Sequence, residues 1–206
     1  MKFTKLNIAI IIALVILISV AIYFYIKYKK PVKSILFIGD SNTAANFSYA
    51  DKLKQMYPGL VIKKIAMNGA KTDWMLQQLK VELNLNKYDA VAILGGSNDI
   101  YALANIKNAI LNLDAMYKLA KSKGSRVLAV TPPNKDYYIN RTDQKQTLLN
   151  NLVSWIRLNI NVTWYIDFHK MTANKSFFSS GDGFLHPGSA AHKILADSVA
   201  QKLNLG

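Results

Sequence analysis

The sequence contains no cysteine. Disulfides, thiolate catalysis and cysteine-based metal sites are thereby excluded, and this says nothing about the compartment. Acidic residues are scarce, 12 against 26 lysines and arginines, and none of the 12 precedes Asp40. The lysines are scattered and form no stripe, and no RNA- or DNA-binding motif is present, so no nucleic-acid partner is expected. There is no internal repeat. No low-complexity linker occurs beyond the basic stretch Lys27 to Lys33.

One segment lacks charge altogether. Leu6 to Ile26, LNIAIIIALVILISVAIYFYI, is 21 residues without a single Asp, Glu, Lys or Arg. As a helix it would be ~31 Å long, close to the thickness of a bilayer's hydrocarbon core. A cleaved signal peptide fits less well, because the run exceeds the usual apolar length of ~7–15 residues and no small-x-small cleavage site follows. A buried core helix fits poorly too, since the run is apolar on every face. Tyr23, Tyr25 and Tyr28 stand at one end, where an aromatic belt belongs. The expectation is a single N-terminal transmembrane anchor. Lys2 and Lys5 precede it, and Lys27, Lys29, Lys30 and Lys33 follow it. Positive-inside counting therefore leans toward a cytoplasmic C-terminal domain, while signal-anchored exported enzymes lean the other way.

The expected organisation is residues 1–33 as anchor and juxtamembrane stretch, and 34–206 as one domain of ordinary size. With those six lysines set aside, 20 basic residues face 12 acidic ones, a domain charge of about +8. Such a balance suits an anionic neighbour, such as a lipid headgroup or a cell-wall polymer, or simply serves solubility.

Within the domain, short apolar runs alternate with helical spacings. Strands are expected at Val32–Ile38, Leu60–Ala66, Asp89–Leu94, Arg126–Pro133 and Val162–Asp167. Helices are expected at Phe47–Tyr57, from Thr72 through TDWMLQQLKVEL, and at Asp99–Lys123, Thr142–Leu158 and Ser189–Leu203. Five alternations predict an α/β fold, with a five-stranded parallel sheet covered by helices on both faces. Ligands bind at the carboxyl ends of such strands.

Small polar blocks stand at those ends. Gly39-Asp40-Ser41-Asn42 follows the first strand, Met67-Asn68-Gly69-Ala70 the second and Gly96-Ser97-Asn98-Asp99 the third. Asp182-Gly183-Phe184-Leu185-His186-Pro187 precedes the last helix. A serine hydroxyl needs a base to become a nucleophile, so Ser41 is paired with His186, and Asp182 is the candidate to orient the imidazole. A carbonyl under attack becomes an oxyanion, for which the Ser41 and Gly69 N–H groups and the Asn98 amide are candidate donors. Gly69 is expected to be glycine so that substrate can approach the backbone closely. Asp40 and Asp99 read as structural. His192 reads as a surface or packing residue. Asp167 with His169 is a rival pair, and His169, His186 and Asp182 a rival metal set without metal-ligand spacing. No cofactor and no metal are expected.

These four blocks resemble those of the SGNH (GDSL-like) hydrolases, whose Ser, Gly, Asn and His would here be Ser41, Gly69, Asn98 and His186. KTDWMLQQL and VTPPNKDYY are similar to small bacterial and phage members. The resemblance implies a three-layer αβα flavodoxin-like sandwich and cofactor-free ester hydrolysis by a Ser-His-Asp triad. Two departures stand out. The first block reads GDSN where GDSL is usual, and the last spaces its acid and histidine as Asp-x-x-x-His where Asp-x-x-His is usual.

The expectation is thus a membrane-anchored serine esterase acting on a short-chain or O-acetyl ester, with a carbohydrate or cell-wall polymer among the candidate substrates, because no long apolar lid is apparent. The segment Thr131 to Arg141, with Tyr137 and Tyr138, is expected to line the substrate site. The alternatives are a membrane-tethered structural or binding module on the same scaffold, such as an envelope or virion component, and a lysophospholipase or thioesterase. Oligomeric state is not encoded in any recognisable pattern.

Overall fold

The computed structural model describes residues 5–102, 106–136, 138, 140 and 142–205, with backbone alone for 5–7 and 24–29. The chain divides into two units at Pro31/Val32. The first is a single helix, α1 (Lys5–Lys29). Its described side chains, Ile8 to Tyr23, are all exposed. Among the described residues no helix is long and apolar enough to cross a membrane. Lys2 and the side chains of Leu6, Tyr25, Ile26 and Tyr28, on which the anchor expectation also drew, lie outside the described residues.

The second unit carries a five-stranded parallel sheet in the order β2-β1-β3-β4-β5. Its strands are β1 (Ser34–Gly39), β2 (Val61–Ala66), β3 (Ala90–Leu94), β4 (Arg126–Val130) and β5 (Trp164–Ile166). Side chains alternate across a strand, so Ile35 and Phe37 face one layer while Leu36 and Ile38 face the other. All four are fully buried. A strand covered on both faces has no polar side to show, which is why β1 and β3 read as continuous apolar runs.

On one face Phe37, Ala92, Leu128 and Val130 pack against α3 (Tyr49–Met56) and α9 (Ser189–Leu203). On the other, Ile38, Val91, Ile93 and Ala129 pack against α4 (Thr72–Leu85), α6 (Ile106–Ser122) and α7 (Asp143–Leu158). The result is the three-layer αβα sandwich. Each large side chain so buried contributes about 1.5–3 kcal/mol, so the packed sheet holds the strand ends in place.

The register sets those ends level. Gly39 pairs with Ala66 and with Leu94, Leu94 with Val130, and Val130 with Ile166. The chain leaves β1 toward β2 on one side and returns to β3 on the other. The crevice beyond β1 and β3 is therefore the switch point at which such sheets bind ligands.

Two details differ from the sequence reading. The long helical pattern after β3 divides into α5 (Ser97–Tyr101) and α6. The fourth strand ends at Val130, short of the two prolines. Two four-residue helices, α2 (Ser41–Ala44) and α8 (Phe168–Met171), were too short to show a period.

Candidate active site

The turn after β1 is built for close quarters. A Cβ on Gly39 would lie 2.1 Å from Thr43 Oγ1 and 2.8 Å from the Leu94 carbonyl, so only glycine lets the chain turn there. Asp40 caps α2, its Oδ1 accepting the Asn42 backbone N–H and the Asn42 side-chain amide, each at 2.9 Å. Asn42, which had no role in the sequence reading, thus braces the cap. Asp40 is only 1% exposed, and burial pushes its carboxyl above the usual range. Its Oδ2 has no hydrogen-bond partner among the described residues. Ser41 opens α2, and its N–H makes no hydrogen bond among them either.

Ser41 Oγ lies 2.9 Å from His186 Nε2, and His186 Nδ1 lies 2.8 Å from Asp182 Oδ2. The three side chains are 145 and four residues apart in sequence, and the fold joins them in one hydrogen-bonded line. The additional residue between Asp182 and His186 is taken up by two successive left-handed residues, Gly183 (φ 67°) and Phe184 (φ 63°). A non-glycine residue there is uncommon. The tight coil lets Asp182 accept from the backbone N–H groups of Leu185 (3.1 Å) and His186 (3.2 Å) as well as face the ring. Lys175 Nζ sits 4.2 Å from the centre of the Phe184 ring and covers the coil.

Gly69 and Asn98 border the same pocket as Ser41 and His186. Gly69 has φ 72°, and a Cβ there would meet nothing within 4 Å. The need for glycine therefore comes from the backbone conformation of the Met67–Ala70 turn, and not from crowding by the protein. Its N–H, like that of Ser41, makes no hydrogen bond among the described residues. Asn98 Nδ2 donates to the Ala70 carbonyl at 3.0 Å, which ties the end of β3 to the loop after β2. A primary amide has two N–H donors, so one is left for a ligand. Asp99 has a structural task. Its carboxylate accepts from Thr72 N–H and, at 2.7 Å, from Thr72 Oγ1.

The rival pair is not assembled. Asp167 caps α8 and pairs with Arg157 at 2.8 Å, and that guanidinium holds its carboxyl below the usual range. His169 is buried, which lowers its imidazole pKa, and its Nδ1 has no partner among the described residues. Among the described residues no group of three or more His, Cys, Asp or Glu is placed to hold a metal ion.

Two cavities flank Ser41. The larger, about 530 Å³, is bordered by Ala45, Phe47, Asn68, Ser179, Pro187 and His192. The smaller, about 140 Å³, is bordered by Asp40, Ser97, Tyr101, Lys135 and Tyr138. Of the segment expected to line the substrate site, Tyr138 borders the smaller cavity, whereas Tyr137 and Arg141 lie outside the described residues. The sequence reading gave two residues no place at the site. His192 is the packing residue of its two expected readings: it is 1% exposed, stacks on Tyr49 and meets Phe47 edge-on. Burial brings its imidazole down to about 4, so it borders the larger cavity in neutral form. Lys135, 2% exposed, had no signal beyond its place after a strand.

The model of the GDSL-like lipase/acylhydrolase family matches residues 37–194. No curated protein matches. Among solved structures, a lipase/acylhydrolase from Enterococcus faecalis is 22% identical with a TM-score of 0.69, covering 83% of this chain and 95% of its own. An esterase from Pseudoalteromonas sp. is 17% identical with a TM-score of 0.66, covering 84% and 97%. A catalytic mutant of an acetylxylan esterase from Geobacillus stearothermophilus is 19% identical with a TM-score of 0.66, covering 85% and 96%.

Proposed function

The chain belongs to the GDSL-like lipase/acylhydrolase family, the SGNH group of ester-hydrolysing enzymes, and on that premise we propose that it is a serine esterase working through Ser41, His186 and Asp182. The observation that carries this reading is the line from Ser41 Oγ to His186 Nε2 at 2.9 Å and from His186 Nδ1 to Asp182 at 2.8 Å. Ser41 attacks the acyl carbonyl as His186 Nε2 takes its proton, and His186 returns that proton to the leaving alcohol. Water then enters and attacks the acyl-enzyme as His186 takes its proton, and His186 returns that proton to Ser41 Oγ as the acid leaves. Asp182 fixes the tautomer of the ring and stabilises the imidazolium. The Ser41 and Gly69 N–H groups and the second Asn98 amide hydrogen serve the oxyanion, each such donor being worth about 3–4 kcal/mol of barrier.

The two unequal cavities support an ester with one small side and one bulkier side, such as a short-chain or O-acetyl ester of a carbohydrate. At ~30 Å³ per water, the smaller cavity has the room of only a few waters and suits an acetyl-sized group. The expected result is a kcat/KM for p-nitrophenyl acetate at least about tenfold above that for the octanoate, the scale that a few methylenes command in a pocket. A preference for octanoate would instead support the lysophospholipase or thioesterase reading.

We also infer that Leu6 to Ile26 anchors the enzyme to a membrane. The support is its lack of charge, its 21-residue length and the exposure of Ile8 to Tyr23 along α1. The full chain, 23.1 kDa, is expected in the membrane fraction, resistant to alkaline carbonate and released by detergent. Recovery in the carbonate supernatant, or a mass lacking this segment, would sink the anchor.

A further inference from the structure

Lysine is almost never fully buried without a partner. Lys135 is 2% exposed, in the segment that follows β4, and forms no ion pair among the described residues. Its Nζ donates instead to the carbonyl of Leu185, the residue next to His186. The ammonium borders the smaller cavity together with Asp40, Ser41 and His186. Asp40 faces it from the turn after β1, with Oδ2 unpartnered among the described residues. Asp182 faces it from the loop before α9. Tyr101 and Tyr138 border the same cavity from α5 and from its own loop, where Asp136 is held by the Asn134 amide at 2.9 Å. Among the described residues the one hydrogen-bond acceptor this cation reaches is the backbone that carries the proposed base.

We propose that Lys135 is a positioning residue, whose ammonium grips the Leu185 carbonyl and so holds the His186 ring against Ser41. The inference rests on the esterase reading of Ser41 and His186. A charged donor binds a carbonyl about twice as strongly as a neutral one. Burial lowers the Lys135 ammonium to about 8, against the pull of Asp40 and Asp182. The grip is therefore full below that pH and weakens as pH rises through it.

The test is the pH profile of kcat for p-nitrophenyl acetate between about pH 6 and 10, corrected for spontaneous hydrolysis, on the full chain and three variants. The wild type is expected to lose kcat above about pH 8, with KM nearly flat. Lys135→Met is expected to lower kcat about 10- to 100-fold at pH 7, to leave KM within about threefold, and to abolish the alkaline fall. Lys135→Gln keeps a donor without the charge, so its kcat should lie between the two, again without the alkaline fall. If Lys135→Met does not fold, Lys135→Gln decides by the same fall. A wild type without the fall, a fall that persists in the variants, or a wild-type kcat in Lys135→Met overturns the proposal. Ser41→Ala, assayed alongside, separates the two readings. Turnover that survives Ser41→Ala, or no turnover in the wild type, defeats the esterase assignment itself. Turnover that needs Ser41 but ignores Lys135 defeats only the present inference.

Discussion

Replacing Ser41 with alanine is expected to lower kcat for p-nitrophenyl acetate by about 10⁵- to 10⁶-fold and to abolish labelling by a fluorophosphonate probe. The size follows from the step removed. Without the hydroxyl no acyl-enzyme can form, and what remains is hydrolysis by water placed against the oxyanion donors, which alone retain about 10³- to 10⁴-fold over solution. The fold should not suffer. The only hydrogen bond that Ser41 Oγ makes among the described residues is the one to His186, and the cap of α2 belongs to Asp40. The melting temperature should therefore move by no more than a surface substitution allows, about 0.5 kcal/mol in stability. The same pair of measurements bears on the alternative of a tethered structural module. A wild-type chain that folds yet is neither labelled nor active would favour the scaffold reading.

Most of the architecture was legible because parallel strands buried on both faces must be apolar throughout. ILFI and AVAIL could be nothing but core strands once Gly39 and Gly95 ended them. The candidate site was legible as a grouping of blocks at the strand ends, since the register of one sheet carries every carboxyl end to a common edge. What escaped was set by contacts remote in sequence. The division of the long pattern into α5 and α6 has no local signal, and neither does the bond from Thr72, at the start of α4, to Asp99 of α5, 27 residues on. His192 read as either a surface or a packing residue, with nothing in the sequence to choose between them. It is buried because it shares a face with Ala191, Leu195 and Ala196, against Tyr49 and Phe168. Lys135 gave no sign at all, because a lone lysine in a loop is ordinarily solvated and only the return of the Leu185 carbonyl over it makes it otherwise. The Asp-x-x-x-His spacing looked like a departure, and the backbone absorbs it in two left-handed residues that sequence alone would not allot to phenylalanine.

Asp182 carries the second large effect. Asp182→Asn is expected to lower kcat by about 10³- to 10⁴-fold at neutral pH, the cost seen when an orienting carboxylate becomes an amide in a serine triad. The carboxylate accepts a hydrogen bond from Nδ1–H, which keeps the ring hydrogen on Nδ1 and leaves Nε2 bare to take the proton of Ser41. An amide can turn its NH₂ toward Nδ1 and reverse the tautomer, so that Nε2 carries hydrogen and cannot act as base. Asparagine is the better probe than alanine, because its carbonyl oxygen at the Oδ1 position can still accept from Leu185 N–H and hold the coil of Gly183 and Phe184, which alanine cannot. Exposure sets the lower bound. The side chains of Asp182 and His186 are 33% and 36% accessible, so water can stand in for part of the lost interaction, and the loss should fall at the lower end of that range, about 10³-fold. A variant that keeps kcat within about tenfold would remove Asp182 from the machinery and leave Ser41 and His186 to work as a pair. His169→Ala provides the internal control. Asp167 is engaged by Arg157 and Lys170, so loss of His169 should leave kcat unchanged, and a loss comparable to that of Asp182→Asn would move the orienting acid to the end of β5.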